Sequence, residues 1–334
     1  MSFNMRLDKE TAVLLEQFNQ QIPDLHNQQV SIETSRAGAQ AMFIGLQGPV
    51  PIGCRVSELN IPSDEGDIPA RLYLPVIETE TPLPVVMFLH GGGWSLGDLD
   101  CYQALVASLC ELSGMAFVSL EYRLAPEHKY PAGLKDACSG LSWLYQHAQS
   151  MNLDSNRIAL MGDSAGANLA LSTSYQMNNI NGIQLKGLYL IYPVLDVHNP
   201  HQTYPSREQF GNGDYLLSTA AIDDTRVMYL DEKGRADDPL VSPMFLTDLQ
   251  RLPATSILVA GFDPLHDEGQ QFAEKLHQAG KLRHFEDFDS TIHAFLSFGD
   301  LSVAQQARQR LAEQLKADLL PNKENEHTQR RASR

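Results

Sequence analysis

The alternation of short strand-like runs with longer helix-like segments is the feature that most constrains the fold of this chain. The strand-like runs are VVMFLH (85–90), MAFVSLEYR (115–123), RIALMGD (157–163), LKGLYLIYP (185–193), TSILVAGFD (255–263) and HFEDFDS (284–290). Helix-like segments lie between or after them: DACSGLSWLYQHAQ, SAGANLALSTSYQ, DEGQQFAEKLHQAG and SVAQQARQRLAEQLKADLL. Continuous apolar strands that alternate with helices predict an α/β fold, with a mostly parallel sheet covered on both faces.

The regions on either side of this alternation have different patterns. CRVSELNIP and IPARLYLP flank the turn-like cluster SDEGD, and they predict an antiparallel strand pair that makes the sheet mixed. Residues 1–50 look helical, because LDKETAVLLEQFNQQ has apolar positions at helical spacing and SIETSRAGAQAMF opens with a capping serine. The segment from His198 to Leu230 is too long for an ordinary connection, so it is either a cover over a site or a surface insertion.

Composition narrows the possible partners and the compartment. The net charge is −16, from 25 basic and 41 acidic residues, which disfavours nucleic acid and anionic membrane surfaces. No signal peptide precedes the four cysteines, none of them forms a CxxC pair, and no window approaches a membrane span. We therefore expect reduced thiols in a cytoplasmic protein, and the polar, proline-led tail at 321–334 to be disordered.

Ser164 lies between two glycines in the stretch LMGDSAGANLAL. A GxSxG pattern arises by chance in roughly one chain of this length in ten, so the pattern alone is only suggestive. Here, however, a buried-strand run ends at Asp163 and a helix-like run starts at Ser164, which places the serine on a strand–turn–helix elbow. Such an elbow exposes the hydroxyl and directs the amino end of the helix toward it.

A nucleophilic serine needs a base and an acid downstream. Asp263 follows an apolar strand and His293 follows the last strand, so both would lie at the same sheet edge as Ser164. His293 would then accept the proton of Ser164, and Asp263 would hold the imidazole. The alternatives are that Asp263 only caps the next helix, that Asp267 or Glu268 takes its role, or that His293 is structural.

The stretch LHGGGWSLGD directly follows the strand VVMFLH and is a more specific signal. Successive glycines let a backbone turn without Cβ clashes and point N–H groups inward, toward a developing oxyanion. We assign the N–H groups of Gly92, Gly93 and Ala165 to an oxyanion hole. The alternative, a phosphate-binding loop, is weakened because no GKS, GKT or GxGxxG pattern is present.

Together these motifs resemble the hormone-sensitive-lipase-like carboxylesterases of the α/β-hydrolase superfamily. The resemblance covers about 54–320 and rests on HGGGW (90–94), EYRLAPEHKYPA (121–132), GDSAG (162–166), YPVLD (192–196), DPLHDEG (263–269) and IHAF (292–295). It implies the triad Ser164, Asp263 and His293 and the oxyanion hole Gly92, Gly93 and Ala165. The chain departs from the family pattern at Ala167, where glycine is common, and at His266, where arginine is common.

The resemblance also implies a domain plan: an N-terminal cap segment at 1–50, an α/β-hydrolase domain at 51–320 with a cap insertion at about 198–230, and the tail. It places Arg123, Glu127 and Asp136 in ion pairs that brace the oxyanion loop, and Trp94 and Tyr130 in either the pocket or the packing around it. Homodimers are common among similar proteins, but no segment of this sequence identifies a dimer contact.

The resulting interpretation is a serine carboxylesterase that uses no cofactor or metal and acts on small esters. That the acyl chains are short to medium is what the family resemblance implies. The sequence contains no HExxH motif and no cluster of Cys and His ligands. An amide or N-acetyl hydrolase with the same triad is the first alternative. A non-catalytic ligand receptor on a hydrolase scaffold is the second.

Overall fold

An eight-stranded mixed sheet forms the centre of the protein in the computed structural model, which describes residues 6–21 and 30–320. The strands are β1 (Cys54–Ile61), β2 (Ile68–Pro75), β3 (Leu83–Leu89), β4 (Ala116–Leu120), β5 (Leu153–Asp163), β6 (Gly187–Ile191), β7 (Thr255–Phe262) and β8 (Leu282–Ile292). Their order is β1-β2-β4-β3-β5-β6-β7-β8. β2 is antiparallel to both of its neighbours, β1 and β4, and β3 to β8 are mutually parallel, which confirms the predicted α/β class.

Each predicted strand is present; β2 has the predicted bounds, and the other strands differ from their predicted runs at one or both ends. β5 begins at Leu153, four residues before the predicted run, and β4 stops at Leu120, three residues before the end of its run. The chain leaves the sheet there because the next side chains make other contacts. The hydroxyl of Tyr122 donates to the His90 carbonyl at 2.7 Å, and the Arg123 guanidinium pairs with Asp136 at 2.8 Å.

The helices are α1 (Lys9–Gln21), α2 (Ile32–Leu46), α3 (Gln103–Ser113), α4 (Ala132–His147), α5 (Ala165–Met177), α6 (Pro205–Phe210), α7 (Thr219–Tyr229), α8 (His266–Gln278) and α9 (Ser302–Leu319). Helices α4, α5 and α8 share one apolar core with Val85, Met87 and Leu89 of β3. Helices α3 and α9 share a second core with Val86 and Phe88. Since side chains alternate along a strand, β3 contributes to both cores and the sheet is covered on both faces.

Among the described helices that cover the sheet, only α3 was not predicted from the sequence. Its segment QALVASLCELS buries most of its side chains, so it lacks the apolar stripe of a surface helix. It ends at Gly114, whose φ of 69° is the left-handed conformation that glycine adopts readily. A helix buried nearly all round is hard to distinguish from a buried strand by periodicity.

Within the described residues the N-terminal segment forms the helices α1 and α2, as expected, whereas positions 1–5 and 22–29 of the predicted helical segment lie outside the described residues. Helix α2 is capped by Ser31, whose hydroxyl accepts the N–H of Thr34 at 3.3 Å. The insertion from His198 to Leu230 contains α6 and α7. The predicted disordered tail, 321–334, lies outside the described residues. Within the described ranges, no helix combines the length and the apolar composition needed to span a bilayer.

Candidate active site

Three polar side chains meet where three parallel strands end. Ser164 directly follows β5, Asp263 follows β7 and His293 follows β8. The Ser164 Oγ lies 2.9 Å from His293 Nε2, and His293 Nδ1 lies 2.7 Å from Asp263 Oδ2. The structure thus brings the three predicted residues into one hydrogen-bonded chain, because the carboxyl ends of parallel strands share one edge of the sheet.

Ser164 occupies a strained turn between β5 and α5. Its φ of 53° and ψ of −120° fall outside the regions that side-chain-bearing residues prefer. The flanking glycines allow the turn, since a Cβ on Gly162 would overlap the Gly166 carbonyl and one on Gly166 would overlap the Leu89 carbonyl. The elbow is anchored by the Ser164 N–H, which donates to the Ile191 carbonyl at 2.8 Å.

Asp263 contacts His293 and does not cap α8, which was the alternative role considered for it, since no described side chain caps that helix. One carboxylate oxygen contacts His293, and the other accepts the N–H of Leu265 at 2.8 Å, close to the start of α8. The two competing acids are engaged elsewhere. Asp267 accepts from the Ser206 N–H and contacts His266, while Glu268 forms a buried ion pair with Arg207. Only Asp263 therefore reaches the histidine among these three acids.

The glycine loop after β3 presents free donors beside Ser164. Gly92 and Gly93 have φ values of 112° and 58°, which other residues rarely adopt. Among the described residues, no acceptor takes the backbone N–H groups of Gly92, Gly93 or Ala165. Ala165 is also the first residue of α5, so the amino end of that helix points its positive dipole toward the serine.

The carboxylate of Asp163 holds the glycine loop against the elbow. Its two oxygens accept the Gly91 N–H at 2.7 Å and the Tyr102 hydroxyl at 3.1 Å. Burial raises the pKa of Asp163 to about 6, although these two donors oppose the shift. In the sequence, Asp163 stands out only as part of the GDSAG motif, and no local signal pairs it with Gly91.

The histidine of the HGGG motif is a packing residue. His90 is fully buried, stacks on Tyr122 with ring centroids 4.5 Å apart, and contacts the Gly91 carbonyl through Nδ1 at 2.8 Å. Burial lowers its pKa to about 4. His90 does not line the cavity beside Ser164, so a neutral imidazole in this position shapes the loop.

A cavity of about 210 Å³ opens onto Ser164 and His293. Its lining is mostly apolar and comes from the glycine loop, from α2, from α7 with the turn before it, and from strand ends: Met42, Phe43, Gly92, Gly93, Trp94, Leu96, Tyr102, Asp163, Ser164, Val194, Leu216, Leu217, Ala221, Ile222, Thr225, Leu265, His293 and Ala294. Both helical segments outside the layered region thus reach the site. Trp94 belongs to this lining, whereas Tyr130 does not.

Helix α7 is docked on the glycine loop. The Tyr229 ring stacks on Trp94 with centroids 4.2 Å apart and planes 6° from parallel. The last four carbonyls of a helix lack hydrogen-bond partners within the helix. At the C-terminal end of α7, the adjacent residues Lys129 and Tyr130 supply donors to four carbonyls. Lys129 Nζ and the Tyr130 N–H donate at 2.8–2.9 Å to the carbonyls of Val227, Met228, Tyr229 and Leu230.

The three ion-pairing residues predicted to brace the glycine loop divide into two groups. Glu127 holds Arg36 of α2 at 2.7 Å, and Arg36 in turn donates to the Ser95 carbonyl in the loop at 2.9 Å. Arg123 and Asp136 instead join the end of β4 to α4, with no contact to the loop. The prediction is therefore right for Glu127, acting through Arg36, and wrong for the other two.

The fold and the strand-end constellation together define an α/β-hydrolase. Residues 86–297 match a family model described as the α/β hydrolase fold. The chain belongs to the hormone-sensitive-lipase-like family of α/β-hydrolases, as its motifs indicated.

Relatives and solved structures agree with this assignment. The chain is 37% identical to the carboxylic ester hydrolase LipN of Mycobacterium tuberculosis, over 81% of this chain and 72% of that protein. It is 34% identical to the carboxylesterase NlhH of the same organism, over 70% of this chain and 72% of that protein. A hyperthermophilic esterase from Pyrobaculum calidifontis superposes with a TM-score of 0.85 at 30% identity, over 94% of this chain and 99% of that one.

Proposed function

We propose that this protein is a serine carboxylesterase. Ser164 attacks the ester carbonyl while His293 accepts its proton, and His293 then gives that proton to the leaving alcohol. An acyl group remains on Ser164, and a water molecule deprotonated by the same histidine releases it as a carboxylic acid. Asp263 keeps the imidazole in the required tautomer and stabilises its cation.

One observation carries this proposal: the uninterrupted contact chain from Ser164 Oγ through His293 to Asp263, with distances of 2.9 and 2.7 Å, at the floor of a cavity. A serine hydroxyl at its normal pKa is a weak nucleophile, and a histidine within hydrogen-bond reach supplies the missing base. The names of the relatives, carboxylic ester hydrolase and carboxylesterase, support the ester as substrate.

We assign the oxyanion hole to the N–H groups of Gly92, Gly93 and Ala165. No described residue accepts these N–H groups, which supports the assignment, because a donor reserved for a developing oxyanion needs no reorganisation during the reaction. Each such donor typically contributes about 3–4 kcal/mol to stabilisation of the transition state.

We further propose that α1 and α2, together with the 198–230 insertion, form a cap that sets the acyl-chain preference. Met42 and Phe43 of α2 and Ile222 and Thr225 of α7 line the cavity. A volume of about 210 Å³ is below the roughly 300–1,000 Å³ of sites for drug-sized ligands, which favours short to medium chains.

The test is hydrolysis of p-nitrophenyl esters, from acetyl to palmitoyl, by the wild type and by Ser164→Ala. We expect activity that peaks at the shorter chains and is lost in the variant, apart from the residual rate that the oxyanion hole supports. A folded wild type that ignores every ester would contradict the carboxylesterase proposal. Full activity of Ser164→Ala would contradict the role of Ser164.

A further inference from the structure

Two cysteines far apart in sequence bring their sulfur atoms into contact. Cys54 is the first residue of β1 and is half-buried, while Cys110 lies in α3 and is fully buried. Their Sγ atoms are 3.3 Å apart, and both are free thiols. The other two cysteines have different neighbours. Cys138 Sγ contacts the Gln176 amide oxygen at 3.4 Å, and Cys101 is buried near Asp98.

The two thiols of the pair are not equivalent. A hydrogen bond from Cys110 lowers the pKa of Cys54, although partial burial and Glu111 oppose this shift. The hydrogen bond to Cys54 and burial raise the pKa of Cys110. The thiolate is the reactive form of cysteine, so the more accessible Cys54 is also the better nucleophile, and Cys110 lies directly behind it.

We propose that Cys54 and Cys110 are a dithiol site that a low-molecular-weight disulfide, such as oxidised glutathione, converts into an intramolecular disulfide. The Cys54 thiolate attacks one glutathione sulfur, the glutathione S–S bond breaks, and the departing thiolate takes up the proton that Cys54 lost. Cys110 then loses its proton and attacks the Cys54 sulfur in the mixed disulfide. The second glutathione leaves as a thiol, so two protein thiols are oxidised and one glutathione disulfide is reduced.

The bridge would tie together the two ends of one structural segment. Residues 54–110 contain β1, β2, β3, the glycine loop and most of α3. Ser164, Asp263 and His293 lie outside this segment. The bridge restricts the unfolded chain and requires little movement in the folded one, because the sulfurs already touch. We therefore expect the oxidised protein to be more heat-stable and to keep its esterase activity.

The experiment uses the full chain, reduced and then incubated with or without oxidised glutathione, unfolded in N-ethylmaleimide and analysed by intact mass and peptide mapping. We expect two of the four cysteines to escape alkylation in the oxidised sample, and a linked peptide pair containing Cys54 and Cys110. We also expect a melting temperature several degrees higher than that of the reduced protein.

Variants test the order of the two steps. Cys110→Ser should accumulate glutathione on Cys54, whereas Cys54→Ser should stay unmodified at Cys110. Cys138→Ser is the matched control and should still form the bridge. A wild type that keeps all its thiols, or that retains glutathione on Cys54 without closing the bridge, would overturn the proposal. Neither result depends on ester hydrolysis, so this inference and the carboxylesterase proposal fail separately.

Discussion

Replacing Gly93 by alanine places a methyl group between the glycine loop and α7. The φ of Gly93 is +58°, and a Cβ there would overlap Thr225 Cγ2 and lie 3.1 Å from Thr225 Cβ. The left-handed backbone costs a residue with a Cβ about 1–2 kcal/mol, and overpacking against the helix adds about 1–3 kcal/mol. Since α7 is held by Lys129 and Tyr130, we expect the loop to move, which displaces the Gly93 N–H from the reacting oxygen.

Loss of one oxyanion donor lowers kcat by about 10²–10³-fold, so we expect a decrease of this size in Gly93→Ala. The assay is steady-state hydrolysis of p-nitrophenyl acetate, with kcat and KM determined separately. Thr225→Ser removes only the overlapping methyl group. In the double variant the steric part of the loss should therefore be relieved, and kcat should recover about tenfold, since 1.4 kcal/mol corresponds to that factor.

The control for backbone strain is Gly66→Ala. Gly66 has a φ of +117°, but a Cβ there would meet nothing within 4 Å. This variant should lose about 1 kcal/mol of stability without any change in kcat. A wild-type kcat in Gly93→Ala, or no recovery of kcat on adding Thr225→Ser, would refute the inference that α7 fixes the position of the glycine loop.

Three further predictions concern the charged residues around the site. Burial lowers the pKa of His266, but its partners Asp267 and Asp287 raise it to about 9; the stability from this cation is complete below about pH 6.5 and is lost as the pH rises to about 9. The urea midpoint of the wild type should therefore fall across that pH window, by the equivalent of at most about 3 kcal/mol. The midpoint of His266→Arg should depend less on pH. The same pH dependence in both proteins would argue against a stabilising His266 cation. Lys129→Met leaves carbonyls of α7 without donors and should lower the free energy of thermal unfolding by about 1–3 kcal/mol. Lys129→Arg should retain most of the stability. Equal losses of stability in the two variants would show that the positive charge at this position is irrelevant. Asp263→Asn should lower kcat about 10⁴-fold with little change in KM, because an amide does not hold the required tautomer, and a loss below tenfold would exclude Asp263 as the orienting residue.

Much of the fold and the candidate site could be predicted because the signals are local. Apolar runs of strand length alternate with helical segments, and that periodicity implies a parallel sheet wherever it occurs. A residue that directly follows a parallel strand must lie at one edge of the sheet, so Ser164, Asp263 and His293 could be grouped before any contact was known. Helix α3 was not predicted because it lacks such a local signal: its buried surface leaves no periodic apolar stripe.

By itself, then, the sequence determined the α/β class, the strand–turn–helix elbow at Ser164 and the glycine loop, all of which depend on neighbouring residues. The tertiary structure alone decided that Asp163 binds the glycine loop, that Arg36 links Glu127 to it, that Lys129 caps α7 and that Cys54 touches Cys110. Each of these contacts joins elements that are distant along the chain. Their meeting depends on the paths of the connecting loops and on side-chain packing, which no local periodicity records.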